Sequence, residues 1–107
     1  MRENQKMIAR LWHGYTKPEN ADAYQHLLMT KILPGIHRVK GYQGSQLLRK
    51  DNESEVEFIT VTFWDSFDSI REFAGEDYEH GVVPMEARKL LARFDERSTH
   101  YESTWCP

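Results

Sequence analysis

The pattern of the chain predicts an α+β fold of the ferredoxin-like, split βαβ kind, with a four-stranded antiparallel sheet and helices on one face. Three observations carry this prediction. Four separate stretches alternate with the period of a strand, and helical spacing fills the gaps between them. The elements then fall in the order β-α-β-β-α-(α)-β. Finally, Glu55 to Trp64 is apolar or β-branched on both alternating sets, which places that strand inside a sheet covered on both faces.

The first strand is Met7 to Tyr15, where Met7, Ala9, Leu11 and His13 alternate against Ile8, Arg10 and Trp12. Thr16-Lys17-Pro18-Glu19 has capping-box spacing with proline in the first turn, so a helix should start there. Ala21, Tyr24, Leu27, Leu28 and Ile32 form its apolar stripe, and Leu33-Pro34-Gly35 should stop it. A second strand follows at about Tyr42 to Lys50, closed by the polar turn Asp51 to Ser54. After the third strand, Ser66 caps a helix with Phe67, Ile70 and Ala74 on its buried face and Gly75 at its end. Pro84 opens another helix with Val83, Ala87, Leu90, Leu91 and Phe94 as apolar positions. The last strand is expected at about Arg97 to Trp105.

Composition narrows the function. Residues 1–107 read as one domain with a core over about 7–102 and a C-terminal arm at 103–107. A net charge of −3, with both signs interspersed, leaves no basic footprint for nucleic acid. No run is apolar enough for a membrane span and the N-terminus carries no signal-like segment, so a cytoplasmic protein is expected. The single cysteine, Cys106, excludes an intrachain disulfide and a multi-cysteine metal site. The five histidines match no local metal motif. Neither a metal nor another cofactor is expected.

In this arrangement strands one and three are expected to be central and parallel, with His13 and Trp64 at the same end of the sheet. Leu11 and His13 then face the helix-side cleft, and Arg10 and Trp12 the other face. A sheet with one bare apolar face normally finds a partner, so a homodimer is expected. Trp105, on the arm, should reach across to that partner.

The segments Thr30-Lys31-Ile32-Leu33-Pro34-Gly35, Gly41-Tyr42-Gln43-Gly44, Phe63-Trp64-Asp65-Ser66 and His100-Tyr101-Glu102, in this order, resemble the antibiotic biosynthesis monooxygenase family of dimeric α+β barrels. The resemblance covers about residues 7–102. It implies two sheets packed face to face as a dimeric barrel, and one of two chemistries. The haem-degrading branch needs an Asn, a Trp and a haem-ligating His where this chain has Leu11, Phe73 and approximately Val83. Haem degradation is therefore disfavoured, His80 being the one histidine that a shifted register could bring in. The quinone-forming branch keeps its pocket tryptophan as Trp64, but Thr60 stands for its Asn and Ile70 for its Tyr.

The implied function is cofactor-independent monooxygenation of a phenol, quinol or similar small hydrophobic substrate. Such a site needs a base with a pKa near the working pH, a donor for the phenolate oxygen and a dry aromatic-lined pocket. His13 and His100 are the candidate catalytic residues. Leu11, Thr60, Thr62, Trp64, Ile70 and Phe73 are the candidate substrate-binding residues. Trp64 serves equally well as a core aromatic plugging the strand-to-helix join. The alternative function is a non-catalytic dimeric ligand-binding or stress-associated module, which the exchanged Asn and Tyr positions favour.

Overall fold

The computed structural model describes residues 7–105. The expectations attached to residues 1–6 and to Cys106 lie outside them. The elements are β1 (Met7–Thr16), α1 (Pro18–Leu27), a π-helical segment (Leu28–Ile32), α2 (Leu33–Ile36), β2 (Tyr42–Asp51) and β3 (Val56–Trp64). They continue with α3 (Phe67–Ala74), α4 (Met85–Leu90), β4 (Leu91–Phe94) and β5 (Thr99–Ser103). The sheet order is β2-β3-β1, and the free edge of β1 is shared by β4 at one end and β5 at the other. The fold is α+β and ferredoxin-like, with five strands among the described residues in place of the expected four.

Every pairing is antiparallel, including β1 with β3, which corrects the expected parallel centre. The reason is topological. A helix returns the chain between β1 and β2 so that these two run the same way, and β3, the hairpin partner of β2, must then run against β1. Trp64 lies opposite Ile8 and His13 opposite Ile59. His13 and Trp64 therefore sit at opposite ends of the central pair, five residues apart in register or roughly 17 Å along a strand.

The two faces of β1 are also exchanged relative to expectation. Ile8, Arg10, Gly14 and Thr16 are buried under the helices, while Met7, Ala9, Leu11, His13 and Tyr15 lie half-buried on the bare face. Their neighbours there are Glu57, Ile59, Val61 and Phe63 of β3, with Leu48 and Tyr101 exposed beside them. The set that fits opposite large partners takes the core: small Gly14 and Thr16 leave room there for Phe58 and the helices, and Ile8 packs with Trp64.

Local chemistry explains the remaining departures. Lys17, and not Thr16, precedes α1, because Thr16 is still held in the sheet opposite Val56. The expected capping box does not form, although Pro18 does occupy the first turn. Pro34 does not stop the helix. The chain widens into the π segment before it, where the Leu33 N–H reaches the Leu28 carbonyl, and the wider turn accommodates the ring that a regular helix would exclude. Helix α4 ends at Leu90, and Leu91 and Phe94 go instead to β4, where they pair with Thr16 and Gly14.

The core lies between the sheet and the helices and centres on Trp64, Tyr24, Phe58 and Ile70, all fully buried. Ser66 caps α3 as expected, accepting from the Ser69 N–H at 3.2 Å. Asp65 Oδ1 accepts from Ser69 Oγ at 2.7 Å, and the Asp65 N–H donates to the Gly41 carbonyl at 2.9 Å. Gly41 has φ 91°, and a Cβ there would lie 2.0 Å from Ser69 Oγ, so only glycine fits the knot that ties β2 to the start of α3.

Candidate functional site

A cavity of about 390 Å³ opens between the helix-covered face of the sheet and the helices. Trp12, Thr60 and Thr62 form its floor, because alternation along β1 and β3 turns all three to that side. Leu28, Ile32 and Ile36 supply one wall from the π segment and α2, and Phe73 and Val83 close the rest. The volume falls within the range of small-molecule sites, and the lining is predominantly apolar. Trp12 is held by its indole N–H donating to the Asp95 carbonyl at 2.7 Å and by Phe94, ring to ring at 5.6 Å. The Gly81 backbone lies so close against this indole that a Cβ at that position would come within 2.6 Å of Nε1.

Two polar groups at the cavity were not anticipated. Arg10 is only 4% exposed. Its Nη1 donates to the Tyr78 carbonyl and lies 3.0 Å from His100 Nε2, and its Nη2 donates to the His80 carbonyl at 3.2 Å. Burial lowers its pKa to about 10, so the guanidinium still carries its charge at neutral pH. Ser98 is 5% exposed, and its hydroxyl has no hydrogen-bond partner among the described residues. Nothing in the sequence separates a buried arginine from a surface one in a strand that alternates both ways. Only the small residues Gly14 and Thr16, on the same alternation as Arg10, hint that this face is the covered one.

Of the expected binding residues, Thr60, Thr62 and Phe73 line the cavity. Trp64 lies directly behind it, fully buried, donating from Nε1 to Thr62 Oγ1 at 2.8 Å and stacked on Phe73 at 5.2 Å. Ile70 is also fully buried, in the core beneath α3. Leu11 lies on the bare face. His13 lies there too, its Nδ1 3.0 Å from Glu57 Oε2, so its expected placement across the cleft from Trp64 is corrected by the antiparallel register. His100 is on the helix-covered face opposite Arg10, in a second, shallower hollow with Phe67 and Tyr78. The Tyr78 ring meets its imidazole edge-on at 5.2 Å.

Burial, and then the positive charge of Arg10, lower the His100 pKa from its ordinary value of 6.5, with Glu79 opposing weakly. The imidazole thus accepts from Arg10 as a neutral ring. On acidification the unfolded chain takes up this proton before the folded one does. The stabilisation is therefore complete above about pH 6.5 and is lost as the pH falls through the lower folded value. Thermal melts at about pH 8 and about pH 5.5 should show a smaller loss on acidification in His100→Asn than in the wild type. Equal losses would mean that His100 is not the group responsible.

Among the described residues no cluster of three or more His, Cys, Asp or Glu could hold a metal ion. The cavity lining does not suit haem either. It contains no imidazole or thiolate, and burial raises the Tyr24 pKa so that its phenol stays protonated. No helix among the described residues is long and apolar enough to cross a membrane.

No family model matches the sequence. No curated protein matches it either. Solved structures do share the fold. A candidate antibiotic biosynthesis monooxygenase from Bacillus cereus superposes with a TM-score of 0.61 at 10% identity, over 96% of this chain and 97% of the other. Protein SO0527 from Shewanella oneidensis gives 0.63 at 19% identity, covering 94% and 93%. The heme-degrader MhuD from Mycobacterium tuberculosis, with two hemes in its active site, gives 0.61 at 17% identity, covering 94% and 98%. At such identities the likeness concerns the fold, which hosts more than one chemistry.

Proposed function

We propose that this protein is a cofactor-independent monooxygenase of the antibiotic biosynthesis type, acting on a small aromatic phenol or quinol. The observation that carries the reading is the apolar cavity of about 390 Å³, floored by Trp12 and by the hydroxyls of Thr60 and Thr62. Its volume suits a small aromatic ring system, and its predominantly apolar lining would limit the water around a reactive anion. A phenol and O2 give a quinone and water: one oxygen atom bonds to a ring carbon, and the other leaves as water with the displaced ring hydrogen and the phenolic proton. The protein's part is to hold the electron-rich phenolate beside O2. The threonine hydroxyls line the cavity and would donate to it, and the neutral His100, reached only through Arg10, would hold that guanidinium in place.

Oxygen uptake by metal-free protein, measured with a panel of hydroquinones and naphthols, tests this directly. Consumption of O2 with formation of a quinone chromophore is expected, and Trp12→Ala should lower it by enlarging and wetting the cavity. No uptake with any member of the panel would leave a binding module on the same fold.

The assembly belongs to the same proposal. Ile59, Phe63 and Leu11 form a bare apolar sheet face that a second copy of the chain would cover, burying on the order of 2,000 Å² in total. Sedimentation at micromolar concentration should give twice the 12.7 kDa chain mass, and Phe63→Asp should return the protein to monomer. A wild-type species of single-chain mass would remove the barrel from the proposal. Trp105, 80% exposed, would reach across to that second copy.

A further inference from the structure

We infer that the cavity contains an anion subsite, built by Arg10 and Ser98, that selects ligands carrying one oxyanion, a carboxylate or a phenolate, on a flat apolar body. The inference concerns binding and stands whether or not the ligand is then oxidised.

A guanidinium has five N–H donors. In Arg10 three of them face the Tyr78 carbonyl, the His80 carbonyl and His100 Nε2. The other two, one on Nη2 and one on Nε, have no partner among the described residues. No described carboxylate lies within 4.0 Å of the group, whereas Arg49, Arg71, Arg93 and Arg97 each pair with an acid. Carbonyls, a neutral imidazole and the face of the Phe73 ring, 5.7 Å from the guanidinium carbon, solvate the cation without neutralising it. A buried charge left in that condition is costly unless something supplies the counter-charge.

Ser98 supplies a second, independent sign. Its buried hydroxyl is unpartnered and it lines the same cavity as Arg10. It immediately precedes Thr99, the β5 partner of Leu11, which brings it beside Trp12 on the helix-covered side, two residues along the strand from the level of Arg10. Thr62, the β3 partner of Arg10, accepts from Trp64, so its own O–H remains available to donate. Cation, serine and threonine are thus all donors lining the same cavity. The one carboxylate at the cavity, Glu86, is at its exposed rim and bound to Lys31 at 2.6 Å. An oxyanion on an apolar ring meets both unfilled demands at once, whereas a neutral ring meets only that of Ser98.

The test compares 1-naphthoate with 1-naphthalenemethanol, which share the ring and differ in charge, by calorimetry and tryptophan fluorescence. The naphthoate should bind roughly 10- to 100-fold more tightly, the worth of a charge-assisted hydrogen bond. Arg10→Gln should abolish that preference, and Ser98→Ala should reduce it several-fold. A nitrophenol followed across its own ionisation separates the two sources: tightening as it ionises means that phenolates are accepted, and naphthoate binding without such tightening restricts the subsite to carboxylates. Equal affinity for naphthoate and the alcohol would overturn the inference, as would an undiminished preference in Arg10→Gln. If that variant does not fold, the wild-type ratio and Ser98→Ala decide alone. No oxygen is measured, so failure here and failure of the oxygenase reading are separately visible.

Discussion

Replacing Trp64 by alanine is expected to destabilise the protein by about 3–5 kcal/mol, the range for removing a large buried aromatic. The side chain is fully buried. Its loss would remove the stack on Phe73 at 5.2 Å and the edge contact with Tyr42 at 5.7 Å, and would leave the Thr62 hydroxyl without its donor. A domain of this size has only about 5–15 kcal/mol to lose, so the variant should unfold at much lower urea. Trp64→Phe keeps the stack and loses only the indole donor and part of the volume, and it should fall in between. A loss below about 1 kcal/mol in Trp64→Ala would mean that the tryptophan is not the keystone of this packing.

Gly41→Ala should cost about 2–4 kcal/mol, from a backbone at φ 91° that an L side chain resists and from a Cβ driven against Ser69 and Asp65. The contrast is Gly35→Ala in α2, where a Cβ meets nothing within 4 Å and helix propensity alone should stabilise by roughly 0.5–1 kcal/mol. Chemical denaturation of the two variants side by side checks both signs. If Gly41→Ala were as stable as the wild type, the tie between β2 and α3 would be adaptable and not fixed.

These positions also show how far the sequence can be read. The strand periods, the Ser66 cap and the cavity side of Thr60, Thr62 and Phe73 were legible, because β3 is apolar throughout and its facing follows from a simple alternation. In β1 both alternating sets are part apolar, and the charge of Arg10 pointed away from the core when its actual solvation comes from carbonyls distant in sequence, those of Tyr78 and His80. The site's principal cation was therefore hidden, and His13 took its place in the expectation. Leu91 and Phe94 fit a helical stripe as well as a short strand, and only the open edge of β1 beyond β5 decides between them. Strand direction was recoverable from topology alone, since the crossover and the hairpin together determine it.

The π-helical segment makes the cavity depend on how many residues the chain contains as well as on which ones. A π turn holds one residue more than the α-helical count, and Leu28, Ile32 and Ile36 face the same wall across that surplus. Deleting a single residue such as Thr30, whose hydroxyl donates to the His26 carbonyl at 2.7 Å, would remove that surplus and let the segment rewind as a regular α-helix, with the residues after it keeping their facing. The ring of Pro34 would then meet the regular turn that the π segment spares it. A one-residue change in this short stretch would thus act on the binding chamber through the width of the turn and the seat of Pro34, with every lining side chain unchanged.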